Sequence, residues 1–205
     1  MIPNWLAVGL SQDLPAGVVM PAIWHGAELA VWRSAAGKLA AWNDRCPHRG
    51  MRLSHGFVRG ETLSCIYHGW VYGTSGACSR IPAHPNLVPP ATIKAEAYLC
   101  REQDGVIWVA RDTTEAPPSL PGLLPLRSLS TRATPAQIAQ ALPALTLTNT
   151  TLRGATPAGD LCLILSPSTP GTTAIHALCS PATDKIAASR WLDGLRRRIE
   201  EGETV

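Results

Sequence analysis

Two short segments, each with one cysteine and one histidine, constrain this chain more than any other feature of its sequence. The first runs from Cys46 to His48 and the second from Cys65 to His68, with sixteen residues between His48 and Cys65. Each places a thiolate and an imidazole on one tight loop, and the spacing suits the ends of two neighbouring β-hairpins. Because thiolates and imidazoles are metal ligands, the pattern predicts a β fold in which the two loops meet at a metal centre.

Two kinds of metal centre suit a pair of cysteines and a pair of histidines. The four side chains can hold one zinc ion in a tetrahedral site. They can also hold a [2Fe–2S] cluster, with both thiolates on one iron and both imidazoles on the other. Glycines lie around both loops, at Gly50, Gly56 and Gly69, and Trp70 follows the second loop. These residues favour the cluster, because a glycine lets a backbone amide come close to a cluster sulfur.

The first half of the chain has the pattern of a β domain. Turn residues separate short runs of strand-forming residues at Val18–Met20, Leu29–Trp32, Lys38–Trp42, Thr62–Cys65, Trp70–Tyr72 and Gly105–Val109. Such spacing predicts an all-β sandwich or barrel. Ten of the 11 aromatic residues lie between Trp5 and Trp108, whereas residues 109–190 contain none. We therefore expect two unequal parts.

The second part has a different pattern. Residues 113–133 are rich in proline, serine and threonine, which predicts a linker. The remaining predicted elements are a short helix after Thr134, a hairpin over Leu161–Leu178 and a last helix over Ser180–Glu200. One face of the last helix is apolar, and its members are Ala188, Leu192, Leu195 and Ile199.

Composition removes several classes of function. Hydrophobic residues make up 45% of the chain and charged residues 16%, which is typical of a globular protein. A net charge of +3 without a basic block gives no reason to expect nucleic acid as a partner. No apolar stretch is long enough to cross a bilayer. Residues Met1–Trp5 lack the start of a signal peptide, so the expected location is the cytoplasm.

A longer pattern surrounds the two loops, and it consists of Asn43–Gly50, Leu53-Ser54, Gly56, Gly60 and Cys65–Trp70. This pattern resembles the Rieske domain of the Rieske non-haem iron oxygenases, over roughly residues 5–112. The resemblance implies a mainly β chain, with a Rieske-type iron–sulfur β domain over residues 1–112. A linker over 113–133 and a small α+β C-terminal segment over 134–205 would follow, the latter resembling a truncated helix-grip domain.

The resemblance also implies the roles of the four side chains. Cys46 and Cys65 are expected to bind the inner iron of a [2Fe–2S] cluster as thiolates. His48 and His68 are expected to bind the outer iron as neutral imidazoles. No other residue is assigned to a metal site, and none is assigned a catalytic role.

A Rieske oxygenase needs a second metal site, a mononuclear iron held by two histidines and one carboxylate. Beyond His84 the sequence contains only His176, so we expect no site of that kind in the second part. The leading hypothesis is a Rieske electron-transfer protein or component of an oxygenase system. It would pass single electrons from a reductase or ferredoxin to a mononuclear iron on another chain, and an oligomer would be compatible with that role.

Two further hypotheses stay open. The chain could be a monooxygenase or demethylase component whose catalytic iron site a partner completes. It could also be a redox-sensing or remnant iron–sulfur protein. The sequence assigns it to the oxidoreductase components without deciding whether it is itself an enzyme.

Overall fold

The structure, a computed structural model, describes residues 4–202. Residues 1–3, which entered the prediction of location, and the last three residues of the predicted segment 134–205 lie outside the described part. Within the described part, no helix is long and apolar enough to cross a membrane.

The chain divides into two compact units. We call the first the hairpin unit, and it consists of Gln12–Arg101 and Val109–Glu115. We call the second the helix–sheet unit, and its described residues are 4–11, Glu102–Trp108 and 116–202. The helix–sheet unit thus takes two segments from the range 1–112, which the sequence assigned to a single domain.

The protein is mostly β. In chain order the strands are β1 (Leu6–Leu10), β2 (Val18–Trp24), β3 (Ala27–Arg33), β4 (Leu39–Asn43), β5 (Phe57–Arg59), β6 (Thr62–Ser64), β7 (Val71–Gly73), β8 (Cys78–Arg80), β9 (Ala97–Gln103), β10 (Val106–Ala110), β11 (Leu124–Thr131), β12 (Thr146–Thr148), β13 (Thr151–Thr156), β14 (Gly159–Pro167) and β15 (Thr173–Cys179). The helices are α1 (Pro135–Ala141) and α2 (Lys185–Glu201). The prediction of a mainly β chain with a helical C-terminal part is confirmed.

Short antiparallel strands build the hairpin unit. The strands β5, β6, β7 and β8 form one sheet in sequence order, while β2, β3 and β4 pair in a second. Three of these strands carry the aromatic core: the Trp32 and Trp42 ring centroids are 5.1 Å apart, and those of Trp42 and Tyr72 are 6.2 Å apart. Both pairs meet edge to face, the arrangement that aromatic rings prefer in a core.

A five-stranded antiparallel sheet, in the order β11-β15-β14-β13-β12, forms the helix–sheet unit with α1 and α2. One face of the sheet packs with both helices around an aliphatic core that includes Ile138, Leu152, Leu163, Leu192 and Leu195. The predicted hairpin over Leu161–Leu178 is confirmed as β14 and β15.

The segment predicted to be a linker, 113–133, contains strand β11 in its second half. Residues Leu124–Thr131 pair with β15, and Thr131 lies opposite Thr173. Proline and serine weaken an isolated strand, but here the pairing with a buried central strand outweighs local propensity. Pro125 lies where the register shifts, a position that tolerates a residue without an N–H.

Both helices begin at side-chain caps. The predicted capping box of α1 is present, because Thr134 and Gln137 each accept a hydrogen bond from the other's backbone. The last helix starts at Lys185 rather than at Ser180, since Asp184 Oδ1 accepts from the N–H groups of the next turn. Its predicted apolar face is confirmed, as Ala188, Leu192, Leu195 and Ile199 are all buried.

Candidate metal centre

The loop that begins at Cys46 is closed by its own backbone. The Cys46 N–H donates to the Met51 carbonyl at 2.8 Å, and the Gly50 N–H donates to the Cys46 carbonyl at 2.8 Å. Gly50 has φ +69°, a left-handed conformation that glycine adopts without strain. The turn therefore fixes the directions of the Cys46 and His48 side chains.

The loop that begins at Cys65 repeats this design. The Cys65 N–H donates to the Trp70 carbonyl at 2.9 Å, and the Gly69 N–H donates to the Cys65 carbonyl at 3.0 Å. Gly69 has φ +67°. A Cβ added there would lie 3.2 Å from Pro82 Cγ, so this turn has less free space than the first. The two segments singled out in the sequence thus have matching backbones.

The two cysteine sulfurs lie in the dry interior of the hairpin unit. Cys46 and Cys65 are 4% and 2% exposed and belong to the same buried cluster as Tyr72. Burial raises the pKa of the Cys65 thiol, and proximity to Cys46 adds to the rise. The backbone N–H groups of Tyr67 and His68 oppose that rise, because they donate hydrogen bonds to the Cys65 sulfur. This side of the site can therefore stabilise negative charge on sulfur.

Tyr72 adds a hydrogen bond to the first cysteine. Its hydroxyl oxygen lies 3.1 Å from Cys46 Sγ. Burial raises the pKa of Tyr72 far above its ordinary value, and the contact with Cys46 raises it further. The hydroxyl therefore keeps its proton and can donate it to a thiolate at Cys46. Sequence reasoning missed this contact, since Tyr72 was noted only as a strand residue.

The two imidazoles lie side by side nearer the surface. The ring centroids of His48 and His68 are 4.6 Å apart, His48 is half-buried and His68 is exposed. The His48 ring stacks on Trp70 at 4.2 Å with 6° between the planes, and Tyr67 lies 3.9 Å from the His68 ring. Desolvation lowers the pKa of His48, as do the nearby His68 and Arg49. Neutral imidazole, the metal-binding form, is thereby favoured.

A buried carboxylate holds the first loop against the residues that follow it. Asp44, which is fully buried, accepts hydrogen bonds from both the N–H and the hydroxyl of Ser54, each at 2.6 Å. Arg52 lies 3.7 Å from the same carboxylate and pairs with Glu28, which also binds Arg45 at 2.6 Å. The sequence held a signal for this support, because Asp44 and Ser54 are part of the pattern around the loops.

The structure brings all four predicted ligand residues together at the tips of two adjacent loops. Two sulfurs lie on the buried side, and two imidazoles lie on the exposed side. A donor set divided in this way, with hydrogen-bond donors aimed at the sulfurs, fits a [2Fe–2S] cluster bound by two thiolates and two imidazoles.

The last histidine of the sequence, for which no second iron site was expected, lies in β15. His176 is 4% exposed, and its Nδ1 lies 2.9 Å from the hydroxyl of Ser128. Within residues 4–202, no group of three or more His, Cys, Asp or Glu side chains is arranged to hold a single metal ion. The arrangement expected at Cys46, His48, Cys65 and His68 requires no such group, because each iron takes two protein ligands.

Comparison with known proteins agrees with this geometry. The family described as Rieske [2Fe-2S] domain matches residues 4–91, a range that contains all four candidate ligands. Oxidoreductase NdmD of Pseudomonas putida is 39% identical over 121 residues, which is 58% of this chain and 20% of the relative. Methylxanthine N1-demethylase NdmA of the same species is 46% identical over 74 residues, 36% of this chain and 21% of the relative. The chain therefore matches about a fifth of the length of either protein.

A solved structure extends the likeness in fold beyond the matched domain. Superposition on the crystal structure of apo dicamba monooxygenase gives a TM-score of 0.76 with 17% sequence identity. The match covers 99% of this chain and 87% of the dicamba monooxygenase chain. These relationships support a role in Rieske electron transfer or in an oxygenase system. Residues 4–91 are therefore a Rieske [2Fe–2S] domain, which binds a [2Fe–2S] cluster.

Proposed function

We propose that this chain is an electron-transfer component of an oxygenase system. Cys46 and Cys65 bind one iron of the [2Fe–2S] cluster, and His48 and His68 bind the other. The observation that carries the proposal is the pair of imidazoles, 4.6 Å apart, beside two buried cysteines on adjacent loops. A reductase or ferredoxin supplies single electrons, and a mononuclear iron on another chain receives them.

The surroundings of the four ligands suit this task. The cluster supplies a site that gains and loses one electron at a time. The protein keeps the sulfurs out of water and directs the Tyr72 hydroxyl and the backbone N–H groups of Tyr67 and His68 toward them. The exposed His68 gives a docked partner close approach to the outer side of the site.

A second function, a monooxygenase or demethylase component whose iron site a partner completes, is favoured by one observation. The likeness in fold to dicamba monooxygenase covers 99% of this chain and therefore extends through the helix–sheet unit. In this alternative, the helix–sheet unit contributes structure to a catalytic centre whose missing ligands come from another chain.

The deciding experiment measures iron and electron transfer on the whole chain purified without oxygen. About two irons per chain and a Rieske signal in electron paramagnetic resonance after reduction are expected. When a reductase or ferredoxin and an oxygenase chain are added, the cluster should be reduced and reoxidised repeatedly. The signal should appear with each reduction and disappear with each oxidation. A third iron, or substrate-dependent oxygen consumption by this chain alone, would contradict the electron-transfer role. A cluster that no reductase can cycle would instead favour redox sensing.

A further inference from the structure

One carboxylate of the hairpin unit contacts both ends of the first cluster loop, residues 46–51. Arg45 precedes this loop and Arg52 follows it. Glu28 of β3 pairs with both arginines. Its Oε2 accepts a hydrogen bond from Arg45 Nη2 at 2.6 Å, and its Oε1 accepts one from Arg52 Nη2. The two ends of the loop are therefore joined through a single side chain of a neighbouring strand.

The pairing of β3 with β4 places Glu28 beside the loop. Leu29 lies opposite Asn43 in this pairing. Directly after that pair, the Asp44 N–H donates a hydrogen bond to the Glu28 carbonyl at 2.9 Å. The backbone of Glu28 is thus bonded to the residue two positions before Cys46. The sheet itself, and not only the ion pairs, keeps Glu28 next to the loop.

The ion pairs around the loop form a network. Arg52 Nη1 also lies 3.7 Å from the buried carboxylate of Asp44, so two carboxylates face two guanidinium groups. An isolated ion pair at the surface contributes little, whereas a network that includes a buried charge is screened less by water. Arg49, at the exposed tip of the loop, lies outside this network. Together, Arg49 and the network carry one net positive charge, and without Glu28 they would carry two.

We propose that Glu28 is a positioning residue that holds the first cluster loop in place and lowers the reduction potential of the cluster. The inference rests on the proposed function, since it takes Cys46 and His48 as cluster ligands. Pairing with Arg45 and Arg52 restrains both ends of the loop that carries these ligands. Because reduction adds an electron to the cluster, the negative charge of Glu28 disfavours the reduced form.

Redox titration of the whole chain, purified without oxygen, tests the effect of the charge. Glu28→Gln keeps the size of the side chain and removes its charge. The one-electron equilibrium should shift about threefold toward the reduced cluster, a rise of about 28 mV in potential. Glu28→Asp keeps the charge and should have the potential of the unmodified chain. Combining Glu28→Gln with Arg45→Gln restores the net charge and should return the potential to the same value.

The rate of iron loss to a chelator tests the restraint on the loop. Glu28→Gln and Glu28→Asp should both lose iron roughly threefold faster than the unmodified chain. The amide of the first variant lacks the charge that strengthens its hydrogen bonds, and the shorter carboxylate of the second reaches one arginine at a time. Glu28→Asp therefore separates the two effects, because it should change the rate of iron loss without changing the potential.

Glu61→Gln is the matched control, because Glu61 is an exposed glutamate in the turn between β5 and β6, at the end of β6 away from Cys65. It should change neither the potential nor the rate of iron loss. An unchanged potential in Glu28→Gln, or an equal rise in Glu61→Gln, would overturn the effect of charge. Iron loss from Glu28→Asp at the rate of the unmodified chain would overturn the positioning role. Absence of a Rieske signal from the unmodified chain would instead contradict the proposed function, and this inference with it.

Discussion

The two units give the same side chain opposite environments. In the hairpin unit, His48 and His68 lie on turns closed by glycines, with their rings in contact and near the surface. In the helix–sheet unit, His176 lies in the middle of a sheet, where burial lowers its pKa to about 4 and Ser128 lies within hydrogen-bond distance of Nδ1. In this chain the turns leave the rings of His48 and His68 near the surface, where they can reach a metal, whereas the sheet encloses His176.

The cores of the two units differ for a related reason. The hairpin unit has several strands of only three residues, and its largest buried side chains include Trp32, Trp42 and Tyr72. An aromatic side chain buries about 150–250 Å² and so stabilises a sheet that has few residues to bury. The helix–sheet unit has strands of up to nine residues and a seventeen-residue helix, and leucines and isoleucines fill its core.

The largest effect is expected from substitution of a turn histidine, compared with substitution of a histidine elsewhere in the chain. His68→Ala should abolish the Rieske signal in electron paramagnetic resonance and lower the iron content, because one iron loses a proposed ligand. His25→Asn is the matched control, since His25 is an exposed histidine with φ +45° and asparagine tolerates that conformation. A normal spectrum from His68→Ala would contradict the ligand assignment.

Much of the hairpin unit could be predicted from the sequence because its signals are local. Turn residues and short apolar runs located the strands, and the order of Cys46, His48, Cys65 and His68 located the site. The hydrogen bond between Tyr72 and Cys46 could not be predicted, since it depends on a side chain of one strand reaching a loop 26 residues earlier.

The helix–sheet unit was harder to predict because its strands depend on distant partners. The strand β11 contains one proline and two serines, which masked a strand pattern in the sequence, and its pairing with β15 joins Ser130 to Ala174 across the sheet. The predicted start of α2 was wrong by a few residues. Both Ser180 and Asp184 are suitable N-cap residues, and the sequence alone does not show which of them begins the helix. Local patterns thus specify turns better than they specify sheet partners.

The buried histidine makes the stability of the helix–sheet unit depend on pH. The pKa of His176 falls from 6.5 to about 4 on burial, so folding favours its neutral form. The stability that this form contributes is present above pH 6.5 and is lost as the pH falls toward 4, by about 3 kcal/mol in all.

Denaturant unfolding of the unmodified chain and of His176→Asn at pH 7.5 and pH 4.5 measures this contribution. The difference between the two proteins should shrink as the pH falls, because the variant has no group that resists protonation there. A difference that stays constant with pH would mean that His176 does not remain neutral in the folded chain. The contrast in environment between His176 and the turn histidines, His48 and His68, would then not hold.

The turn glycines of the two cluster loops and the glycine inside α2 should respond in opposite directions to substitution by alanine. Gly50→Ala should destabilise the hairpin unit by about 1–2 kcal/mol, because an L-residue is strained at φ +69°. Gly69→Ala should cost more, since its Cβ would also press on Pro82. Gly194→Ala in α2 has free space and should instead stabilise the helix by roughly 0.5–1 kcal/mol. Unfolding in urea measures all three, and a stabilising Gly50→Ala would contradict the need for a left-handed turn.

The smallest expected effect is on the reduction potential of the cluster. The Tyr72 hydroxyl lies 3.1 Å from Cys46 Sγ and keeps its proton, so it stabilises added negative charge at that sulfur. Tyr72→Phe removes this donor and keeps the ring in the core, and it should lower the reduction potential by roughly 50 mV, close to a tenfold change for one electron. Tyr67→Phe is the control, because its exposed ring lies against His68 and its loss of a hydroxyl should leave the potential unchanged. Redox titration followed by circular dichroism separates the two variants. An equal shift in both would mean that the buried hydroxyl has no special influence, and that the interior of the hairpin unit holds the site without tuning it.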